Sequence, residues 1–332
     1  MWLRKLAFEP QTRVFEGLKN KKFFRGEKMA NVVEIKSAKI VPLALMSSSI
    51  SAILAFIGGI LLAIMLGIAV AFIPAPLGGF LAGLGVAVVI AYPILTFLIG
   101  LSTVFLSVLL YNLLVPRVGG IKLAMEGNNV ESIPIVPFAL IISIIEAIWA
   151  FIIGLILATS IAPLTGLIGS AIKLFGVAIP MIANTTNTTI MANGTNAGAL
   201  FGVGTTVLYL LLIIGLPIAA FILGLIRNAL FAAFYNYIAV RAAKIQLNFT
   251  AVSGAWNDLT SIPIIPAALA LAIIAAIFGL IQGILNFGVG GIGGLIGNII
   301  GGFIFSFIVV AIGAWLYNFL APRIGAVKLE LE

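Results

Sequence analysis

Three stretches of this chain carry the same pattern, which constrains its fold more than any other feature. They read LYNLLVPRVGGIKL at 110–123, FYNYIAVRAAKIQL at 234–247 and LYNFLAPRIGAVKL at 316–329. Each has a Tyr-Asn pair, an Arg six residues after the Tyr, and an alternating apolar and polar tail. The shared residues are Tyr111, Asn112, Arg117, Tyr235, Asn236, Arg241, Tyr317, Asn318 and Arg323. Such internal repetition indicates a chain built from similar structural units.

A second pattern opens each unit. It reads SIPIVPFAL at 132–140 and SIPIIPAAL at 261–269, with a looser form, AKIVPLAL, at 38–45. Three prolines align there, and three glycines align 17 residues later: Pro42, Pro137, Pro266, Gly59, Gly154 and Gly283. We therefore divide the chain into a basic arm at 1–31 and repeats at 32–123, 124–247 and 248–332, each carrying two helices.

The composition identifies the environment of these units. The chain is 62% hydrophobic and 8% charged, whereas soluble domains are about 25% charged. Its apolar stretches exceed the roughly 20 residues that span a bilayer. We predict an all-α integral membrane protein whose six transmembrane helices form three two-helix repeats in a pseudo-threefold bundle, with short cytoplasmic strands. First helices are expected at 43–68, 138–159 and 267–285, and second helices at 88–114, 205–238 and 303–320.

The rare chemical groups exclude most enzyme classes. The chain has no Cys and no His, and Asp258 is its one aspartate. Disulfides, Cys/His metal sites, imidazole bases and an aspartyl dyad are therefore excluded. Ser47, Ser48, Ser49 and Ser51 cluster near one helix start, yet no His or Lys is placed to activate them. We expect no catalytic, cofactor or metal site and no enzyme activity.

The ends of the units alternate apolar and polar residues, as in VEIKS (33–37), IKLAM (121–125) and VKLEL (327–331). This period of two predicts half-buried strands, which would pair into a small sheet beneath the membrane. The Tyr would then anchor at the membrane boundary, and the Asn would cap the turn from helix to strand. We interpret the Tyr-Asn pair as structural rather than catalytic.

The basic residues predict the orientation. The net charge is +8, and sixteen of the eighteen basic residues lie in the first 39 residues, the junctions 117–131 and 240–261, and the C-terminus. Six spans put all four regions on one side, which the positive-inside rule makes the cytoplasm. We expect a multi-pass protein of the plasma membrane with cytoplasmic termini, whose basic charge meets lipid rather than nucleic acid.

The N-terminal arm has three interpretations. It is a polybasic segment on anionic lipid, a disordered flank, or a region preceding a true start at Met29, in which case residues 1–28 are not translated. A cleaved signal peptide is not expected, because the apolar run begins only near residue 40.

The opposite face should carry the apolar inserts 69–87, 160–183 and 286–302. They are either interfacial or re-entrant segments forming a plug, or loops packed on helix ends. The polar loop 184–196 contains three Asn-x-Ser/Thr sequons, at Asn184, Asn187 and Asn193. A host with the machinery would glycosylate them; otherwise the segment is a bare loop tip.

Two charged residues lie within the apolar predicted helices of the middle repeat. Glu146 lies nine residues after Pro137 and Arg227 eight residues before Tyr235, so both are about 12–13 Å from the same face. An isolated charge there costs about 2.5–3.5 kcal/mol, which predicts a Glu146–Arg227 ion pair. The pair is either a gating or coupling site or a structural clamp. The matching positions in the other repeats are uncharged, which favours the clamp.

The repeats resemble a family of small two-pass bacterial membrane proteins catalogued as a domain of unknown function. Leu110-Tyr111-Asn112 followed by Gly119-Gly120-Ile121 carries the resemblance. The second repeat departs from it with Ala242-Ala243 and the third with Gly325-Ala326. The resemblance covers 32–332 as three copies and implies a fold but no activity.

We therefore expect a non-enzymatic scaffold or subunit of a membrane complex. Sparse polar groups and glycine-rich helices suited to close packing favour this interpretation. The alternative is a channel or transporter for a small solute or ion, with Glu146 and Arg227 in its path. The expected partners are the lipid bilayer and a second membrane protein or another copy of the chain.

Overall fold

Six helices in the described part of the chain are each long and apolar enough to cross a membrane, as predicted. The computed structural model describes residues 31–73, 75–175 and 207–332. The helices are α1 (Ile40–Val70), α2 (Ala75–Val118), α3 (Ile135–Phe175), α4 (Val207–Ala242), α5 (Ile264–Leu285) and α6 (Phe287–Ile324). The N-terminal arm up to residue 30 and the sequons at Asn184, Asn187 and Asn193 lie outside the described residues.

The starts and ends of the helices follow from proline and glycine. Pro42, Pro137 and Pro266 are each the third residue of a helix, where a missing N–H leaves no hydrogen bond unmade. After α2 and α6 the chain turns at Gly119 (φ 90°) and Gly325 (φ 98°), a conformation that favours glycine. After α4 the chain goes directly into extended backbone, which explains why Ala242-Ala243 can replace the glycine there.

The helices pack in consecutive pairs, which we call hairpin 1 (α1 and α2), hairpin 2 (α3 and α4) and hairpin 3 (α5 and α6). The aligned glycines bring the two helices of each pair together. A Cβ on Gly154 would overlap the carbonyl oxygen of Leu212, and one on Gly283 would lie 2.7 Å from the Leu295 side chain. Contacts between hairpins are sparse and run in cyclic order, α2 with α3, α4 with α5 and α6 with α1.

The expected apolar inserts are mostly extensions of the helices. Residues 69–87 form the end of α1, a short turn and the start of α2, while 286–302 belong almost entirely to α6. Backbone at Gly291 leaves the helical region within α6 (φ 54°, ψ −155°). Within the described residues the structure thus has neither a separate plug nor long packed loops. These segments are apolar, so they continue the helices at about 1.5 Å per residue although they contain glycines.

The all-α class is too narrow, because the described residues also form a sheet of six antiparallel strands. They are β1 (Asn31–Ala38), β2 (Ile121–Glu126), β3 (Asn129–Ser132), β4 (Asn248–Ser253), β5 (Trp256–Ser261) and β6 (Val327–Leu331). Their order is β3-β2-β1-β6-β5-β4. Apolar and polar residues alternate along β2, where Ile121, Leu123 and Met125 are buried.

The two edges of this sheet meet. Asn129 of β3 forms an antiparallel bridge with Gln246, two residues before β4. The Val130 N–H donates to the Ile245 carbonyl oxygen at 2.8 Å, and the Leu247 N–H donates to that of Asn128 at 2.9 Å. Closure satisfies backbone groups that an open edge would leave unpaired. We call the closed sheet the strand ring.

Candidate functional site

The three tyrosines of the repeated pattern join the helices to the strand ring. Each hydroxyl lies near the end of a second helix, donates to a carbonyl oxygen of the strand that precedes the first helix of its hairpin, and accepts the N–H of the residue ten positions later. Tyr111 joins Ile35 and Ile121, Tyr235 joins Val130 and Ile245, and Tyr317 joins Leu259 and Val327. The Tyr235 and Tyr317 side chains are buried, and their hydroxyls are hydrogen-bonded to the backbone.

The asparagines that follow these tyrosines hold the junction before each first helix. Each side chain accepts the N–H and donates to the carbonyl oxygen of one residue, at 2.8–3.0 Å. The pairs are Asn112 with Ala38, Asn236 with Ile133 and Asn318 with Ile262. The expectation that Asn caps the helix-to-strand turn was therefore wrong. The amide satisfies the strand-to-helix junction instead, because that backbone has no partner of its own.

The arginines of the pattern lie at the outer surface of the helix ends. Arg117 and Arg323 each donate to the carbonyl oxygen four residues earlier, and the Arg323 guanidinium lies 3.7 Å from the centre of the Phe319 ring. Arg241 is exposed. These positions suit basic residues, since a cation near a helix C-terminus is favoured by the helix dipole.

A further regularity that sequence reasoning missed lies across the strands. Glu34 is paired in register with Lys122, Asn129 with Gln246, and Asp258 with Lys328. Two of these are charge pairs, with nitrogen–oxygen distances of 3.6 Å, and the one at the closing seam is neutral. The available signal was the position eleven residues after each Tyr, which is Lys, Gln and Lys in turn.

The structure brings Glu146 and Arg227 into contact in hairpin 2. Arg227 Nη2 donates to Glu146 Oε1, and the Asn228 amide lies 3.3 Å from the same oxygen. Gly224 makes room for the carboxylate, because a Cβ there would overlap Glu146 Oε2. The two partners differ in exposure: the Arg227 side chain is 62% exposed and that of Glu146 is 27% exposed. The guanidinium is thus on the outer surface of the hairpin.

The corresponding positions of hairpins 1 and 3 carry no charge. Ser51 and Thr103 occupy them in hairpin 1, and Ala275 and Val309 in hairpin 3. Thr103 donates its hydroxyl to the Ile99 carbonyl oxygen of its own helix at 2.7 Å. The charged pair is therefore particular to hairpin 2.

A cavity of about 420 Å³ lies between hairpins 1 and 2. It borders the side of α3 that faces away from α4. Its walls include Leu43, Val108 and Ile145, and it extends from the strand ring to the depth of Glu146. At its rim the Trp149 indole N–H donates to Ser107 Oγ at 2.9 Å, which ties α3 to α2. The cavity is thus almost entirely apolar, with its few polar groups already hydrogen-bonded.

The described residues contain no group of three or more His, Cys, Asp or Glu side chains that could hold a metal ion. Ser48 of the serine cluster is fully buried, and its hydroxyl has no hydrogen-bond partner among the described residues. Among the described residues, the site thus offers a carboxylate that accepts hydrogen bonds from Arg227 and Asn228, beside an apolar space.

Comparison of the chain with protein-family models, with curated proteins and with solved structures finds no match. The role of this protein therefore has to be inferred from its own side chains.

Proposed function

We propose that this protein is a non-enzymatic scaffold or subunit of a membrane complex. The observation that carries the proposal is the use made of its polar groups. The Tyr-Asn pairs bond to the backbone of the strand ring, and Glu146 is committed to Arg227 and Asn228. These polar groups stabilise the strand ring and the packing of hairpin 2, and the rest of the long helices is apolar.

We further propose that the chain consists of three two-helix repeats around a pseudo-threefold axis. Three observations support this: the same Tyr and Asn hydrogen bonds at each unit, the matched cross-strand pairs, and hairpin contacts in cyclic order. The strand ring then lies on the cytoplasmic side with both termini, as the basic residues predict, and the membrane is the plasma membrane.

The sparse contact between hairpins supports an assembly role. Many large apolar side chains are exposed along the helices, among them Leu61, Ile99, Leu223 and Phe305. In a bilayer either lipid or another membrane protein covers them. Because close helix packing in membranes depends on small residues and interhelical hydrogen bonds, a glycine-rich chain of this kind is suited to receive partner helices.

The alternative function, a channel or transporter, is favoured by one observation. The cavity between hairpins 1 and 2 reaches the depth of Glu146, and intramembrane carboxylates often mark transport paths. Against it, transporters line a midplane site with several polar groups, whereas the corresponding positions of hairpins 1 and 3 are uncharged.

The deciding experiment reconstitutes the purified protein in liposomes and measures ion and small-solute flux, with Glu146→Ala beside the wild type. We expect no flux above that of empty liposomes from either protein. Flux that falls or changes selectivity in Glu146→Ala would overturn the scaffold proposal and establish the alternative. Thr103→Ala, at the position matching Arg227 in hairpin 1, serves as a control for a polar change at similar depth.

A further inference from the structure

The second helix of each hairpin presents an exposed apolar ridge with a period of four residues. On α4 the ridge consists of Ile214, Ile218, Ile222 and Ile226, each 51–56% exposed. Ile90, Ile94 and Leu98 occupy the matching positions on α2, and Ile296, Ile300, Ile304 and Ile308 those on α6. Side chains spaced by four form the ridges that pack into the grooves of another helix.

Only on α4 does a charge lie beside the ridge, on the neighbouring row of residues spaced by four that contains Leu223 and Arg227. Arg227 follows Ile226 directly and is 62% exposed, while the matching residues next to the other two ridges are Thr103 and Val309. A guanidinium has five N–H donors, and within the described residues Arg227 makes one side-chain hydrogen bond, to Glu146. Exposed donors at this depth are costly in lipid, so a hydrogen-bond acceptor at this surface is strongly favoured.

A lipid headgroup is poorly placed to be that acceptor. Arg227 lies eight residues before Tyr235, about 12 Å along α4 from the expected membrane boundary, and an arginine at such depth normally extends toward the headgroups. Here its Nη2 is held by Glu146, which lies at similar depth on α3. The guanidinium therefore stays within the apolar layer, where its acceptor must come from a protein.

The charge of the pair decides the chemistry of that acceptor. Glu146 already neutralises Arg227, so a second carboxylate would add an uncompensated negative charge to the membrane interior. An uncharged acceptor, such as the amide oxygen of Asn or Gln, uses the free donors without that cost. Polar side chains of this kind commonly form hydrogen bonds between membrane helices.

We propose that the α4 ridge and Arg227 form a docking surface for one transmembrane helix of a partner protein that presents an uncharged amide at the depth of Arg227. This inference rests on the proposed scaffold function and names its partner surface. The apolar ridges of α2 and α6 then face lipid, so that a nearly threefold molecule binds its partner on one side only.

The test uses the full chain in lipid nanodiscs with the photocrosslinking residue p-benzoylphenylalanine at Ile222. The matched controls place it at Leu98 of α2 and at Ile304 of α6, the equivalent ridge positions. The probe is a synthetic polyleucine transmembrane peptide with one Asn at the depth of Arg227, compared with the same peptide carrying Leu or Asp there.

We expect crosslinking at Ile222 to favour the Asn peptide over the all-Leu peptide by about threefold to thirtyfold, the range for one intramembrane hydrogen bond. The double variant Glu146→Leu with Arg227→Leu, which leaves no unpaired charge, should abolish the preference. Equal labelling at all three ridges, or no preference for Asn, would overturn the proposal. Stronger labelling by the Asp peptide would overturn the choice of an uncharged acceptor.

The peptide and flux measurements separate the two proposals. No flux together with no peptide preference would leave the scaffold function standing and remove the docking surface. Flux dependent on Glu146 would remove the scaffold function itself, whatever the peptides do.

Discussion

The Tyr235 hydroxyl donates a hydrogen bond of 2.6 Å to the carbonyl oxygen of Val130, which lies 105 residues earlier in the chain. The same hydroxyl accepts the N–H of Ile245 at 3.1 Å. It thus joins the end of α4 to β3 and to the segment before β4, at the seam where the strand ring closes. Because the Tyr235 side chain is fully buried, no water can replace these bonds if the hydroxyl is lost.

Tyr235→Phe should therefore destabilise the protein. The substitution leaves a buried carbonyl and a buried N–H without their partner, at about 1–3 kcal/mol. Thermal unfolding in detergent, followed by circular dichroism, should show a clearly lower Tm. Tyr237→Phe is the matched control, because Tyr237 lies one residue beyond the pair and is 63% exposed. Equal Tm values for the two variants would contradict the assigned role of the hydroxyl.

Asn318→Leu should weaken the junction before α5. The variant removes both hydrogen bonds to the Ile262 backbone, each 2.8 Å long, at about 1–3 kcal/mol for the unsatisfied groups. Hydrogen exchange measured by mass spectrometry should show faster exchange at the start of α5. The control is Asn257→Leu, whose amide donates to the nearby Ala255 carbonyl oxygen. Unchanged exchange at α5 in Asn318→Leu would refute the prediction.

Breaking one side of the Glu146–Arg227 pair should cost more than removing both. Glu146→Gln leaves the Arg227 charge without its counter-ion in the membrane, at about 2.5–3.5 kcal/mol if fully uncompensated. Glu146→Ala combined with Arg227→Ala should recover much of that loss, because neither charge remains. A thermal-unfolding double-mutant cycle measures the coupling. A double variant no more stable than either single variant would show that the pair is not a clamp.

Gly154→Ala should separate α3 from α4. The added methyl group would overlap the carbonyl oxygen of Leu212, and overpacking of this kind costs about 1–3 kcal/mol. Gly59→Ala is the matched control at the aligned position of hairpin 1, where the nearest atom to an added Cβ is 3.4 Å away. We expect a lower Tm for Gly154→Ala and little change for Gly59→Ala. The reverse order would mean that the glycines do not set the helix spacing.

The membrane-length helices follow from local properties of the sequence, and their prediction is confirmed. Their bounds differ mainly at the far ends: α2 begins at Ala75 rather than at 88, and α6 at Phe287 rather than at 303. The segments 69–87 and 286–302, which we expected to be inserts, contain many glycines. Glycine weakens a helix by about 1 kcal/mol, which is not enough to end one whose backbone has no water to bond with.

The sequence also predicted that Glu146 and Arg227 lie at similar heights on their helices, because the helical rise converts residue number into distance along the axis. What the sequence did not show is that Arg227 lies outward and Glu146 inward, since that depends on the rotation of α4 against α3. Gly224 decides this rotation by admitting the carboxylate, and close approach at one glycine is a property of two helices, not of one segment.

The sequence by itself determined the apolar helices, the alternating strand segments and the recurrence of Tyr-Asn, because each depends on residues near one another in the chain. Only the tertiary structure decided where the Tyr and Asn side chains bond, that the strands close into a ring, and which hairpin face carries an exposed charge. Strand pairing joins segments as distant as β1 and β6, and a side-chain pattern specifies the face of a strand but not its neighbour. The partner of each backbone group is settled only when all the strands are present together.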